Sequence, residues 1–201
     1  FEDYWDGPAK LDQVTFKVLK DSNAILTSLK GGSVDMCFHL NSTQVAELED
    51  DFRIFEGNMN LVQALYLNNQ EEPLNDVKVR QALCYAVNAQ EVMDMISDGK
   101  GTAVGTSMFP AFSKYDVPDL AHMYDQNIEK AKELLKEAGY ENGFTLTITV
   151  PSNYQQHVET AQILAEQLKQ ISVNAEIELI EWDSWLSDVY MDRKFQSTVV
   201  G

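Results

Sequence analysis

Apolar residues recur at helical spacing between residues 66 and 87, the most strongly patterned stretch of the chain. Pro73 separates a short apolar strand from a run in which apolar residues repeat at i, i+3, i+4, i+7 and i+8. Asn75 or Asp76 can begin this run by accepting a backbone N–H bond. The pattern predicts an amphipathic helix with one buried face, made of Val79, Ala82, Leu83, Ala86 and Val87.

Six further helices are predicted from the same periodicity and from residue types that begin or end helices. Ser22 is expected to cap the first, one of the polar residues 41–43 the second, and Asn88 the third. One of residues 152 and 153 is expected to cap the longest helix. The six helices are placed at residues 22–30, 41–48, 88–98, 127–138, 152–171 and 182–190.

Alternating apolar and polar residues predict seven strands. Two of them flank a turn at Gly57 and Asn58. Strands that alternate with helices of this length favour an α/β domain with a mainly parallel, mixed sheet and helices on both faces. The last strand would then form an open edge at which a second copy could pair. The strands are placed at residues 11–20, 34–40, 52–56, 61–67, 144–150, 175–180 and 195–200.

Residues 99–124 show no sustained periodicity, and glycines and prolines, including Pro110, interrupt an apolar composition. A long apolar loop either covers part of a core or contributes to a binding surface, and the sequence leaves both open. No internal repeat, linker or low-complexity segment divides the chain, so residues 1–201 are expected to form a single α/β lobe.

The chain of 201 residues carries a formal net charge of −17, which argues against nucleic acid as a partner. Cys37 and Cys84 lie among apolar residues and are predicted to be buried, unpaired thiols. No apolar run has the roughly 18 residues needed to span a bilayer, and the first residues do not resemble a signal peptide. The absence of an initiator Met suggests a piece of a longer protein.

Signals for catalysis or metal binding are weak. The sequence has no phosphate-binding loop, nucleophile elbow or metal-ligand spacing, and its three histidines lie far apart. We therefore predict no catalytic residue, no metal and no cofactor. Glu181 and Asp183 form the one candidate carboxylate pair for a hydrolase, although the favourable interaction of acids with a helix N-terminus explains them more simply.

Candidate binding residues follow the predicted strands, because ligands of open α/β sheets bind beyond the carboxyl ends of the strands. Asn153 is either a helix cap or a ligand contact, and His157 is either solvated or part of a cleft. Trp182 either packs in the core or stacks on a ligand. The full set of candidates is Asn41, Asn68, Asn69, Asn153, His157 and Trp182.

Five segments of the chain, in the same order, resemble the bacterial solute-binding proteins of the peptide and nickel-binding family, family 5. The most diagnostic is YLNNQEEPLNDVKVRQALCYAVN at residues 66–88, and AKELLKEAGY at residues 131–140 is another. The remaining segments are the opening residues 3–18, the GGSVDM at 31–36, and residues 164–173 with the following Glu181 and Trp182.

The resemblance implies the class II periplasmic-binding fold, in which two lobes close on a ligand. This chain would be most of the second lobe, without the first lobe and the returning C-terminal segment. By position, Asn153 and His157 match cleft-facing residues of peptide-binding members, and Trp182 matches a pocket tryptophan.

The function implied is that of the solute-binding component of an ABC importer, which binds an oligopeptide and presents it to the permease without catalysis. A nickel-chelate or oligosaccharide binder of the same family, a sensor domain and a carboxylate-based hydrolase are the alternatives. The protein would be extracytoplasmic, either periplasmic or a cell-surface lipoprotein of a Gram-positive bacterium. A lipid anchor on an N-terminal segment absent from the chain would be its only membrane contact.

Overall fold

The chain divides into two units, residues 1–54 and residues 55–201, in a computed structural model. The structure describes residues 1–19, 21–57, 59–109 and 111–201. Each unit has its own apolar cluster, and each is described by itself.

The first unit contains two short helices, α1 (Ser22–Lys30) and α2 (Ser42–Ala46). Asp21, rather than the predicted Ser22, caps α1, and its carboxylate accepts a hydrogen bond of 2.7 Å from the backbone N–H of Ala24. Asn41 caps α2, as one of the predicted alternatives. The buried cluster beneath the two helices consists of Leu26, Leu29 and Leu48.

Three predicted strands are wrong. The described residues of ranges 11–20, 34–40 and 52–56 form no strand, and Val14, Phe16 and Val18 are exposed. Alternation alone does not stabilise a strand, because its backbone N–H and C=O groups need a neighbouring strand. Lys20 and Asn58, which belong to a predicted strand and a predicted turn, lie outside the described residues.

The second unit is built on a four-stranded sheet with the strand order β1-β4-β2-β3. Parallel pairing joins β2 to both β3 and β4, whereas β1 runs antiparallel to β4. The sheet is therefore mixed and mostly parallel, as predicted. The expected open edge is wrong, because β4 lies inside the sheet between β1 and β2. The strands are β1 (Ala64–Leu67), β2 (Phe144–Pro151), β3 (Val173–Ile180) and β4 (Ser197–Val200).

Four α-helices pack on one face of this sheet: α3 (Val77–Ala86), α4 (Ala89–Ser97), α5 (Ile128–Glu137) and α6 (Gln155–Leu168). Their apolar faces and the inward side chains of β2 form one core, which includes Leu83, Leu135, Ile148 and Leu168. The predicted cap residues Asp76 and Asn88 each accept a backbone N–H bond at the start of a helix, and Asn127 does the same at the start of α5. The predicted buried face of α3 is confirmed for Val79, Ala82, Leu83 and Ala86.

The opposite face of the sheet is covered by a helical segment that begins as α7 (Trp182–Ser184) and continues as a π-helix (Trp185–Met191). Of the apolar residues along this segment, only Trp185 and Val189 are buried. A π-helix has more residues per turn than the α-helix that the sequence pattern assumes, so a different set of residues shares one face. Helices thus lie on both faces of the sheet, as predicted.

The segment 99–124 contains a 3₁₀-helix (Pro118–His122) and a shallow cavity of about 250 Å³ lined by residues such as Thr102 and Ala121. Pro110 lies outside the described residues. A second 3₁₀-helix (Lys169–Ile171) ends α6. No helix in the described ranges has both the length and the apolar character needed to cross a membrane.

Both cysteines are unpaired, as predicted, but the prediction that they are buried is wrong for Cys84. Cys84 lies on the side of α3 that faces away from the core, and its side chain is exposed, while Cys37 is partly exposed. The apolar neighbours of Cys84 in sequence belong to the buried face of the helix, to which residue 84 does not itself belong.

Candidate functional site

The carboxyl ends of β2 and β3 lie side by side, because the two strands pair in parallel from Phe144 and Val173 to Pro151 and Ile180. The backbone N–H of Ser152 extends this pairing with a hydrogen bond of 2.8 Å to Ile180 O. The loop after β2 and the start of α7 therefore meet at one edge of the sheet. The antiparallel β1 begins at this edge, since Ala64 pairs with Val200.

Five aromatic rings form a continuous series at this edge, which we name the aromatic row. Trp182 stacks on Trp185 with centroids 5.1 Å apart and ring planes inclined by 5°. Tyr154 meets Trp182 edge to face at 5.2 Å and 79°. His157 lies 5.2 Å from Tyr154, and Tyr190 lies 6.3 Å from Trp185. Offset and edge-to-face contacts of this kind are the favoured aromatic geometries.

Trp185 fixes the aromatic row to the sheet. Its buried indole N–H donates a hydrogen bond of 3.0 Å to the hydroxyl oxygen of Thr198 on β4. The Thr198 hydroxyl in turn donates to the carbonyl oxygen of Thr149 on β2 at 2.6 Å. The row is therefore held by hydrogen bonds to two strands, and Tyr154, Trp182 and Tyr190 keep ring surface open to solvent.

Trp182 packs against its neighbour in the aromatic row, and its predicted stacking on a ligand stays a prediction. It packs against the buried Trp185 and remains half-buried, with ring surface open to solvent. Tyr154, which the sequence did not single out, is 43% exposed beside it. Together the two rings offer a surface on which flat or apolar ligand groups can stack.

His157 is buried, with 8% of its surface exposed, so the first of its two predicted alternatives, a solvated residue, is wrong. Its Nδ1 lies 2.9 Å from the side-chain oxygen of Gln63, the residue directly before β1. Burial lowers the pKa of His157, because desolvation disfavours the charged imidazolium. The ring is therefore neutral at pH 7.

Asn153 is exposed in the turn between β2 and α6, and its predicted role as the cap of α6 is wrong. The N-cap position belongs to Tyr154, whose side chain makes no capping hydrogen bond. Asn153 lies next to Tyr154 at the same edge of the sheet as His157 and Trp182. The structure therefore brings these three predicted site residues together.

Asn68 and Asn69 lie at the opposite end of the sheet. They follow the carboxyl end of β1, and β1 runs antiparallel to β4, so this end points away from the aromatic row. The side-chain amide of Asn68 donates to the backbone oxygens of Phe195 at 2.8 Å and Arg193 at 3.3 Å. Asn68 thus holds the segment before β4 in place, and Asn69 is exposed.

Asn41 belongs to the first unit, where it has a local structural role. Its side-chain oxygen accepts a hydrogen bond of 2.8 Å from the backbone N–H of Gln44, and its own N–H donates to the Gln44 side chain. This reciprocal pair is a capping box.

Sequence reasoning missed Gln63, Tyr154 and Trp185. Tyr154 falls within the loop that follows β2, so its aromatic character at that place was an available signal. Gln63 precedes a strand, and it belongs to this edge only because β1 is antiparallel, which the sequence pattern does not reveal.

Charged groups do not form an enclosed reactive centre here. Glu181 and Asp183 are both exposed at the start of α7. Among the described residues, no group of three or more His, Cys, Asp or Glu side chains is placed to hold a metal ion. The edge offers aromatic surface and uncharged hydrogen-bonding groups, which suit recognition.

Comparison with known proteins gives a consistent result. The family described as bacterial extracellular solute-binding proteins, family 5 Middle, matches residues 1–201. The dipeptide-binding protein of Escherichia coli (strain K12) is 30% identical over 207 residues, which cover 100% of this chain and 38% of that protein. Heme-binding protein A of Haemophilus influenzae is 32% identical over 145 residues, covering 71% of this chain and 26% of that protein.

Among solved structures, the ABC transporter-associated periplasmic binding protein DppA from Helicobacter pylori in complex with the peptide STSA matches with a TM-score of 0.78. It is 26% identical, and the match covers 100% of this chain and 38% of that chain. The predicted class II periplasmic-binding fold is confirmed by this match. The chain spans well under half the length of the relatives that it matches.

These matches confirm the predicted family. It is a family of extracellular or periplasmic solute-binding proteins that are not catalytic, as expected for a chain predicted not to be an enzyme. The family membership therefore favours solute binding over the hydrolase alternative based on Glu181 and Asp183.

Proposed function

Because the chain belongs to the bacterial extracellular solute-binding proteins of family 5, we propose that it is the ligand-contacting part of an oligopeptide-binding protein of an ABC importer. In this proposal residues 1–201 belong to one lobe of a longer, two-lobed protein. The bound peptide lies between the lobes, and the closed form is presented to the permease.

The observation that carries the proposal is the aromatic row together with Gln63, which lies beside His157 of the row. The rings give broad apolar surface at the rim, and the polar groups of His157, Gln63 and Asn153 supply uncharged donors and acceptors. Such a surface holds a peptide main chain by hydrogen bonds and accepts varied side chains loosely, especially where water fills the remaining space.

The relatives support a peptide as the ligand. The relative from Escherichia coli is a dipeptide-binding protein, and the structure from Helicobacter pylori contains the peptide STSA. Heme-binding protein A has a different ligand, which makes direct identification of the solute necessary.

We further propose an extracytoplasmic location, in the periplasm or as a lipoprotein at the cell surface. Contact with the membrane would then be limited to the permease and to a lipid anchor on a segment before residue 1.

Mass spectrometry of the material that copurifies with the longer, two-lobed protein tests the ligand class. A mixture of short peptides of varied sequence is the expected result. Recovery of heme, a nickel chelate or an oligosaccharide as the main ligand would contradict the proposal and identify the solute.

A pair of aromatic substitutions tests the place of binding in the same protein. Trp182→Leu should weaken binding of trialanine by at least tenfold, measured by calorimetry, because it removes the exposed stacking surface. Tyr140→Leu is the matched control, since Tyr140 contacts Phe144 at the amino end of β2, away from the aromatic row. Equal affinities of the two variants would show that the binding site does not lie at the aromatic row.

A further inference from the structure

Hydrogen bonds join three polar side chains in series: Thr160 of α6, Gln63, and His157 of the aromatic row. The hydroxyl of Thr160 donates a hydrogen bond of 2.8 Å to the backbone oxygen of Gln156. A hydroxyl has one proton, so this bond leaves the oxygen of Thr160 as an acceptor. The side-chain Nε2 of Gln63 donates to that oxygen.

The Thr160 bond sets the orientation of the Gln63 amide. With its NH₂ group directed to Thr160, Gln63 turns its carbonyl oxygen to Nδ1 of His157 at 2.9 Å. A carbonyl oxygen only accepts, so Nδ1 must carry the proton and donate. Because the buried ring is neutral at pH 7, its one proton is used in this bond, and Nε2 is left as an unprotonated acceptor.

The Nε2 atom is available to a ligand. Within the described part of the chain it has no hydrogen-bond partner, and it is not sealed from solvent although the residue is about nine-tenths buried. The neighbouring Cε1 atom lies beside Gly201, where an added Cβ would come within 3.5 Å of it. His157 therefore presents a fixed acceptor at the carboxyl edge of the sheet, next to Tyr154.

We propose that Gln63 and Thr160 are positioning residues that hold His157 in its Nδ1–H tautomer, so that Nε2 accepts an N–H group of the ligand. The group recognised is a main-chain amide N–H of a bound peptide, and this part rests on the proposed function. A neutral acceptor at this place repels a carboxylate, which has no proton to donate, so His157 selects against a peptide C-terminus at this position.

The tautomer can be measured without any ligand, by ¹⁵N NMR of the histidine rings in the 201-residue chain. The expected spectrum shows His157 protonated at Nδ1 and unprotonated at Nε2. Thr160→Val removes the hydroxyl with little change of shape, releases the Gln63 amide and should populate the Nε2–H tautomer. Thr160→Ser keeps the hydroxyl and should retain the original spectrum. An Nε2–H ring in the unsubstituted chain would overturn the proposal.

Peptide binding tests the role of the free nitrogen in the longer, two-lobed protein. We expect one of the two singly N-methylated forms of trialanine to bind about tenfold more weakly than trialanine, because it lacks the donated N–H. In the His157→Phe variant that penalty should shrink to less than twofold. Penalties of equal size with and without His157 would overturn the proposal.

Trialaninamide separates this role from carboxylate recognition. If His157 instead holds the C-terminus, amidation will weaken binding in the unsubstituted protein and not in His157→Phe, which also overturns the proposal. Failure of every peptide to bind would contradict the proposed function and, with it, the amide ligand. The NMR result would still decide the tautomer and the roles of Gln63 and Thr160.

Discussion

The indole N–H of Trp185 and the hydroxyl of Thr198 join the π-helix to the sheet through a buried hydrogen bond of 3.0 Å. The hydroxyl is used twice, since it also donates to Thr149 O at 2.6 Å. One side chain on β4 thus connects the aromatic row to the central strand β2. The row depends on this connection for its position.

Thr198→Val should lower the free energy of unfolding by about 1–3 kcal/mol. The substitution keeps the shape of the side chain and leaves the buried N–H of Trp185 without an acceptor. Urea denaturation followed by circular dichroism measures the change. Thr147→Val is the matched control on the same face of the sheet, because the Thr147 hydroxyl has no hydrogen-bond partner among the described residues. A similar loss in both variants would contradict the role assigned to the bond.

The sequence pattern located the helices of the second unit well. Val79, Ala82, Leu83 and Ala86 are buried as their spacing predicts, and the polar residue before each of three helices acts as a cap. These features are set by contacts close in sequence or by a single apolar face. They are therefore readable from local periodicity.

Strand pairing was not readable in this way. Residues 11–19 alternate as clearly as β2 does, yet they form no strand, because pairing depends on partners distant in sequence. The direction of β1 is likewise set by its pairing with β4, and this direction removes Asn68 from the edge that holds His157. The same pairing places Gln63 at the edge that holds His157. The local sequence pattern therefore identified Asn153, His157 and Trp182, whereas strand pairing decided the positions of Gln63 and Asn68.

Gln167 connects α6 to the start of α4, a contact that the sequence pattern does not predict. Its buried side chain accepts a hydrogen bond of 3.0 Å from the backbone N–H of Asn88 and donates to the Asn88 oxygen at 3.3 Å. It also donates to a carboxylate oxygen of Glu91 at 2.8 Å. One amide on α6 thus satisfies the junction between α3 and α4.

Gln167→Met should therefore destabilise the fold by about 1–3 kcal/mol, since a side chain of similar size leaves the groups at this junction without partners. Gln162→Met on the exposed face of the same helix should change stability by less than about 0.5 kcal/mol. Urea midpoints of the two variants give the comparison. Equal stability of the two would show that water replaces the lost bonds at no cost.

The buried His157 should make stability depend on pH. Burial lowers its pKa in the folded state below the ordinary value of 6.5, so the unfolded chain binds the proton more readily. The contribution of the neutral ring to the free energy of unfolding is complete above pH 6.5. It is lost as the pH falls through the lowered pKa of the folded state. Denaturation between pH 7 and pH 5 should show a larger loss for the unsubstituted chain than for His157→Gln.

His122→Gln is the control for this pH dependence, because the His122 side chain is exposed on the surface. This variant should lose as much stability between pH 7 and pH 5 as the unsubstituted chain, so that the slope of stability against pH is unchanged. If the slope instead disappears in His122→Gln and persists in His157→Gln, the assignment to the buried ring is wrong.

Asn68 and Asn153 should separate stability from binding. Asn68→Ala removes the two hydrogen bonds to the backbone before β4, at Arg193 and Phe195, and should cost about 1–3 kcal/mol of stability. Its affinity for trialanine in the two-lobed protein should remain within twofold, because the residue lies at the far end of the sheet.

Asn153→Ala should leave stability within about 0.5 kcal/mol, since this exposed side chain has no hydrogen-bond partner among the described residues. Calorimetry should show weaker binding of trialanine to the Asn153 variant. The reverse pattern would place the ligand at the carboxyl end of β1 and exclude the edge that carries the aromatic row.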